Sequence, residues 1–309
     1  MKDFPLSRRA VVGSMLAAGL AEPLASAVFE ASVLPVSRSW GPPPPPVQTR
    51  SGLTDLPGVK LWYWDTLGAG EPVIFLHPGT GSGLIWGYQQ AAFAQAGYRV
   101  IGYSRRGHAK SQSGDPDNPG TGADDLANLA DALGIERFHL VGSAAGGFIV
   151  PDFALSFPER LITMTLACTQ GGVIEPDYRA RIAMLYPEGY FSMPESFREL
   201  SPTYRVAYPE GAHEWEELEK KSQSGPRRIA QASKNQLTWA AVETIATPSL
   251  IFTGAADLYM PPPLMLEYAS HLANKEVAII SEAGHSVYWE QPAAFNGLIL
   301  DFLSRHRGG

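Results

Sequence analysis

The segment LVGSAAGG, residues 140–147, places small residues directly after a short apolar run. Gly142 and Gly146 have the spacing of the two glycines in a nucleophile elbow, G-x-S-x-G, where a strained strand-to-helix turn exposes the middle residue. The middle residue here is Ala144, whose methyl group cannot attack a carbonyl. Ser143 does not fit the frame, since the residues two places to either side of it are not glycine. The sequence therefore predicts a nucleophile position at residue 144 that is occupied by alanine.

Four other segments follow the order of known motifs, and with the elbow they resemble the α/β-hydrolase superfamily. Phe75–Gly81 looks like the loop after the third strand, and Gly102–Ser111 like the Y-D-x-R-G-x-G-x-S segment. Thr253–Pro261 resembles the acid loop, and Ala283–Ser286 the histidine loop. The resemblance covers residues 56–305 and implies a fold that carries a nucleophile, an acid and a base in this order.

The resemblance implies a role for four residues besides Ala144. A serine hydroxyl needs an imidazole to remove its proton, and the imidazole needs a carboxylate to fix its tautomer. His285 would be the base and Asp257 its partner. The backbone N–H groups of Gly79 and Ala145 would form the oxyanion hole. Because the residue before Gly79 is a proline, which has no N–H, Thr80 stays open as the second donor.

Residues adjacent to these motifs are predicted to line the substrate pocket. They are Trp86, Ser143, Tyr259, Met260, Val287 and Tyr288. Their aromatic and apolar character favours a medium-sized, uncharged ester or lactone, with a carbon-carbon bond as an open alternative. No cofactor and no metal are predicted, because no complete phosphate-binding motif and no H-E-x-x-H spacing occurs.

Two explanations of Ala144 remain open. The chain is an inactivated form of a serine hydrolase in which serine was replaced by alanine, or it is a natural pseudohydrolase that binds a small apolar ligand without turnover. Retention of both Asp257 and His285 favours the first explanation. An aspartate in the parent enzyme, as in dehalogenases and epoxide hydrolases, is a further alternative.

The elements that must position these residues alternate along the chain from about residue 56. Short apolar runs typical of buried strands alternate with segments of helical periodicity such as 123–133 and 292–303. This alternation predicts one doubly wound, mostly parallel α/β domain over residues 56–305. The stretch at about 174–241 interrupts the pattern and is predicted to be a helical lid. The predicted strands span residues 59–64, 73–76, 98–103, 138–141, 161–168, 249–252 and 276–280.

Composition and the N-terminal sequence indicate which partners to exclude and where in the cell the protein is expected. The 309 residues carry a formal net charge of −7, which argues against nucleic acid as a partner, and the single cysteine excludes an intramolecular disulfide. Residues 1–27 resemble a twin-arginine signal peptide, with Arg8-Arg9 before a short apolar stretch, so we expect a periplasmic or secreted protein without stable membrane insertion. Residues 28–55 are expected to be a Pro-rich arm in which 28–47 has no packed role. The oligomeric state is not indicated.

Overall fold

The structure is a computed structural model that describes residues 31–35 and 40–308. The predicted signal peptide lies outside these residues. Among the described residues, no helix combines the length and the apolar character that crossing a membrane requires.

One mixed sheet of nine strands forms the centre of the described chain. The strands are β1 Ser32–Leu34, β2 Arg50–Leu56, β3 Val59–Asp65, β4 Pro72–Leu76, β5 Arg99–Tyr103, β6 Phe138–Ser143, β7 Leu161–Ala167, β8 Ser249–Gly254 and β9 Lys275–Ile280. Their order is β1-β9-β8-β7-β6-β4-β5-β3-β2. All neighbours from β1 to β5 in this order pair in parallel, and only the β5-β3 and β3-β2 pairs are antiparallel. The doubly wound, mostly parallel fold is thus confirmed.

Helices cover both faces of the sheet. They are α1 Gly87–Gln95, α2 Gly122–Ala132, α3 Ile149–Ser156, α4 Pro176–Ala183, α5 Glu195–Glu199, α6 Pro202–Ala207, α7 Pro209–Ser222, α8 Trp239–Val242, α9 Pro262–Ser270, α10 Val287–Glu290 and α11 Pro292–Ser304. Short 3-10 helices occur at Ala144–Phe148, Pro158–Arg160 and Tyr190–Ser192.

The central strands are apolar throughout because they are buried on both faces. Successive side chains of a strand point to opposite sides, and in β4 Ile74 and Leu76 join one hydrophobic core while Val73 and Phe75 join the other. This double burial explains why the central strands could be predicted from apolar runs, and three further strands were predicted with them. Each of the seven predicted strands is observed within two residues of its predicted ends.

The Pro-rich arm is not a free tether, so that expectation is wrong for its described residues. Ser32–Leu34 pairs in parallel with β9 and covers a sheet edge that would otherwise be unpaired. The indole N–H of Trp40 donates to the main-chain oxygen of Glu290 at 3.0 Å, and the Tyr88 hydroxyl donates to the main-chain oxygen of Gly41. The arm therefore belongs to the packed domain.

Between β7 and β8 the chain leaves the sheet and forms the helices α4 to α8. We call residues 174–241 the insertion. Three of its aromatic residues, Tyr178, Tyr204 and Trp215, are almost completely buried. Its helices also carry many charged residues, several of which face the site described next.

Candidate active site

The turn after β6 has the backbone geometry of a nucleophile elbow. Ala144 has φ +49°, in the left-handed region that costs energy for a residue with a side chain. A Cβ on Gly142 would lie 2.4 Å from Val150 Cγ2, and one on Gly146 would lie 2.4 Å from the main-chain oxygen of Leu76. Both glycines are therefore required by close packing, and the turn presents residue 144 at the carboxyl edge of the sheet.

The histidine loop and the acid loop meet at the same edge of the sheet. His285 Nδ1 lies 2.9 Å from both carboxylate oxygens of Asp257. Asp257 Oδ1 also accepts the backbone N–H groups of Tyr259 at 2.8 Å and Met260 at 2.9 Å. Because a carboxylate only accepts, Nδ1 carries the proton in the neutral form of the ring, and in that form Nε2 can accept a proton.

Burial and charge act in opposite directions on this pair. Burial alone would lower the pKa of His285, but the negative charges of Asp257 and Glu199 outweigh it and raise that pKa to about 9. Burial would raise the pKa of Asp257, but His285 and the backbone donors hold it below its usual value. Asp257 is 3% exposed and His285 6%, so the pair is shielded from solvent.

A cavity of about 420 Å³ opens over the elbow, and we call it the catalytic cavity. It is lined by Gly79, Thr80, Ala144, Ala145, Phe148, Cys168, Thr169, Gln170, Tyr186, Glu195, Arg198, Glu199, Glu219, Gln223, Arg228, Tyr259 and His285. The structure therefore brings the nucleophile position, the predicted base and both predicted oxyanion residues to one cavity. Asp257 lies behind His285 and does not reach the wall.

The predicted oxyanion residues adjoin each other. A Cβ on Gly79 would lie 3.6 Å from the Cβ of Ala145. Ala145 is the second residue of a 3-10 helix, where N–H groups have no partner within the helix. The loop before Gly79 is held in place by His77, whose Nδ1 donates to the main-chain oxygen of Pro78 and whose Nε2 accepts the N–H of Arg105 at 3.0 Å. Two backbone donors can therefore point into the catalytic cavity.

The predicted pocket residues have different locations. Tyr259 lines the catalytic cavity, and its ring centroid lies 4.5 Å from that of His285. The other five are buried and do not line it: Trp86, Ser143, Met260, Val287 and Tyr288. Four of these pack in the hydrophobic cores because neighbouring positions on a turn or short helix point in different directions.

Sequence reasoning missed the charged wall that the insertion contributes. Arg198 forms an ion pair with Glu195 and donates to the hydroxyl of Tyr259. Glu219 and Arg228 complete this wall. The high charge of a segment predicted to cover the sheet was the available signal, but only the fold shows which of its charges face inward.

Glu199 joins the insertion to the histidine loop. Its main-chain oxygen accepts the N–H groups of His285 at 2.8 Å and Ser286 at 3.0 Å. Its carboxylate accepts the hydroxyls of Ser286 at 3.1 Å and Thr80 at 3.3 Å. Burial raises the pKa of Glu199. The base is therefore positioned by the sheet through Asp257 and by the insertion through Glu199.

No group of three His, Cys, Asp or Glu side chains that could hold a metal ion occurs in the described part of the chain. Cys168 lines the catalytic cavity, but burial raises the pKa of its thiol well above the ordinary value. This disfavours the thiolate that a nucleophile or metal ligand requires.

Comparisons with known proteins agree with this geometry. Residues 73–298 match the Alpha/beta hydrolase family. A 2-hydroxy-6-oxo-6-phenylhexa-2,4-dienoate hydrolase of Comamonas testosteroni is 29% identical over 265 residues, which cover 79% of this chain and 91% of that protein.

Two solved structures are also similar. An esterase from Thermogutta terrifontis has a TM-score of 0.66 at 24% identity, covering 84% of this chain and 99% of the esterase. Est816, described as degrading N-acyl homoserine lactones, has a TM-score of 0.65 at 26% identity, covering 81% of this chain and 100% of that one. Together with the family match over most of the chain, the elbow and its facing histidine lead to one conclusion: this protein belongs to the α/β-hydrolase family.

Proposed function

We propose that this chain is a serine hydrolase of carboxylic esters or lactones in an inactivated form, with alanine at the nucleophile position. One observation carries the proposal. Ala144 and His285 line the same cavity as the two candidate oxyanion donors, while His285 is paired with a buried Asp257. This arrangement supports acyl transfer, for which the chain lacks only the nucleophilic hydroxyl.

The geometry supports a complete reaction once a serine stands at position 144. The hydroxyl gives its proton to His285 Nε2 while its oxygen attacks the substrate carbonyl. The N–H groups of Ala145 and of Gly79 or Thr80 stabilise the resulting oxyanion. The alcohol then leaves with the proton held by His285. Water, activated by the same imidazole, releases the acid and restores the enzyme.

The substrate class rests on the cavity and on the relatives. A volume of about 420 Å³ suits a small molecule and lies at the lower end of ordinary ligand sites. Est816 is described as acting on lactones, and the similar Thermogutta terrifontis protein is an esterase. Since the Comamonas testosteroni relative is a dienoate hydrolase, the assay must include substrates beyond simple esters.

The test is to restore the hydroxyl. Ala144→Ser and the chain as it stands are assayed on p-nitrophenyl esters and on aliphatic and aromatic lactones. We expect the serine form to be faster by at least about 10³, because losing a serine nucleophile costs on the order of 10⁶ in turnover in a protease. Ser143→Ala in the Ala144→Ser background is the control, and it should retain the gained activity.

A second candidate function is a natural pseudohydrolase that binds a small apolar ligand. The alanine itself favours it, because a cavity without a nucleophile can bind a ligand but cannot form an acyl-enzyme. If Ala144→Ser turns over nothing on the panel while both chains bind small apolar ligands, the pseudohydrolase replaces the enzyme.

The export proposed for this protein rests on its N-terminal sequence alone. Twin-arginine signals depend on the arginine pair. Replacement of Arg8-Arg9 by two lysines should therefore retain the full-length protein in the bacterial cytoplasm. Processing of the variant at the same rate as the parent would contradict this route.

A further inference from the structure

A second cavity of about 480 Å³ adjoins the catalytic cavity, and we call it the side cavity. The two cavities share four lining residues: Gly79, Ala145, Phe148 and Arg228. Because both candidate oxyanion residues are among them, the side cavity lies next to the position that the reacting carbonyl of a substrate would occupy.

Arg105 lines the side cavity without a carboxylate partner. Its Nη2 donates to the main-chain oxygens of His77 at 3.0 Å and Pro78 at 3.2 Å. Its Nε is buried without a hydrogen-bond partner, and no described acidic side chain forms an ion pair with it. Burial lowers the pKa of Arg105 to about 10. The neighbouring Arg106, by contrast with Arg105, forms an ion pair in which its Nη2 lies 2.7 Å from Asp125 Oδ1.

Arg228 stands where the two cavities meet. Within the described residues its guanidinium has no hydrogen bond and no ion pair. Arg228 is exposed to solvent on one side, and its partial burial lowers its pKa, although the charges of Glu219 and Glu195 act in the opposite direction. Glu195 is already paired with Arg198. Arg228 therefore keeps its N–H donors available.

The other titratable groups beside these arginines do not neutralise them. Burial and the charge of Arg105 lower the pKa values of His77 and His108, so both rings are neutral. Asp152 also lines the side cavity, but its carboxylate accepts the backbone N–H groups of Lys234 at 2.9 Å and Asn235 at 2.8 Å. Asp152 keeps its negative charge, but three arginines line the side cavity against this one carboxylate, so the charge of the lining is net positive.

We propose that the side cavity binds a carboxylate carried by the substrate, held by Arg105 and Arg228. This deepens the proposed function and rests on it, and it replaces the uncharged substrate expected from the sequence. A guanidinium presents planar N–H groups that match a carboxylate, and an unpaired one near a cavity is stabilised by such a ligand. The substrate is then the half-ester or lactone of a compound that bears a second, free acid group.

The first test compares two esters of similar length in the Ala144→Ser background. Mono-p-nitrophenyl adipate carries the free carboxylate, and p-nitrophenyl hexanoate does not. We expect the ratio of their kcat/KM values to fall by about 10- to 100-fold in Arg105→Gln and in Arg228→Gln. The ratio cancels any general damage to the oxyanion loop that Arg105 supports. Arg227→Gln, which removes a neighbouring charge outside both cavities, should leave the ratio unchanged.

The second test needs no turnover. Titration calorimetry measures binding of monomethyl adipate and of methyl hexanoate to the chain with Ala144. We expect monomethyl adipate to bind more tightly, and Arg228→Gln to weaken it by about 10-fold or more.

The two tests separate the two proposals. If Ala144→Ser hydrolyses neither ester but monomethyl adipate binds and depends on Arg228, the anion site stands and the hydrolase proposal fails. If the serine form hydrolyses both esters at a ratio that neither arginine variant changes, the hydrolase stands and the anion site is overturned. Absence of any preference for monomethyl adipate in the titration also overturns it.

Discussion

Two regions build the candidate active site by different physical means. The framework, which we define as Gly142, residues 144–146, Asp257 and His285, depends on backbone geometry. Ala144 has φ +49°, and Gly146 has no room for a Cβ. The insertion, residues 174–241, contributes side chains from short helices, such as the buried Glu199 on α5. Backbone constraints restrict residue type at each position, whereas a charged wall can be built from many sequences.

This difference indicates that the framework determines the reaction and that the insertion determines which substrates fit. The proposed acyl transfer, with serine at position 144, involves only the framework and the reacting group, so it would serve many substrates. The insertion supplies Arg198, Glu219 and Arg228, which line the remainder of the catalytic cavity. Substitutions in the framework should therefore affect all substrates alike, and substitutions in the insertion should affect substrates unequally.

The largest effect tests the framework itself. In the Ala144→Ser background, Asp257→Asn should reduce kcat by about 10⁴ on every substrate, because an amide no longer selects the tautomer of His285 with a free Nε2. Steady-state kinetics on two unlike esters measures this. A loss confined to one ester would mean that Asp257 acts on specificity, and the division between the regions would fail.

The next effect concerns the folding of the elbow. Gly146→Ala should lower the free energy of unfolding by about 3 kcal/mol, because its Cβ meets the main-chain oxygen of Leu76 at 2.4 Å and that of His77 at 2.7 Å. Gly79→Ala is the matched control. Its nearest contact is 3.6 Å, and it should change stability by under about 1 kcal/mol. Urea unfolding that finds equal stability for the two variants would refute the packing argument.

A smaller effect is expected where the arm supports the insertion. Trp40 stacks on Tyr208 of the insertion, and its N–H donates to Glu290. Trp40→Ala should cost about 2 kcal/mol, and Trp40→Phe, which keeps a ring, about 1 kcal/mol. Thermal unfolding compares the two. Equal losses would indicate that the hydrogen bond, rather than the stacking, holds the arm.

The smallest effect sharpens the link between the two regions. His285 accepts a proton only when neutral, so kcat/KM of Ala144→Ser should rise with pH towards the pKa of about 9. Glu199 helps to raise that pKa, so Glu199→Gln should lower it and move the rise to lower pH. If the pKa falls by about one, kcat/KM at pH 7 should increase about tenfold. Glu217→Gln, on the exposed face of α7, is the control. An unmoved profile would show that Glu199 positions the loop without acting on the base.

The raised pKa of His285 also makes the stability of the folded protein depend on pH. The pKa of His285 is raised from its ordinary value of 6.5 to about 9, so the folded state favours the charged imidazole. The stabilisation from the His285–Asp257 pair is therefore fully present below about pH 6.5 and is lost as the pH rises through about 9. Unfolding measured across this range should show a decline that Asp257→Asn removes.

Much of the fold followed from local pattern, and the exceptions have clear causes. Strands buried on both faces are continuous apolar runs, so β4, β6 and β8 were predictable. β1 was missed because three residues at an edge gain their structure only by pairing with β9. β2 was missed because its alternating exposure leaves a polar sequence, RSGLTDL.

The sequence by itself determined the framework. A turn with φ above zero and two close backbone approaches admits few residue types. The elbow, the acid loop and the histidine loop follow β6, β8 and β9 in this order along the chain, so they could be located from the strand pattern. The tertiary structure decided the rest. It buried Trp86 and Met260 in the cores and placed Glu199 beside His285. It also left Arg105 and Arg228 without acidic partners among the described residues, because which charges meet across a cavity depends on how distant segments pack.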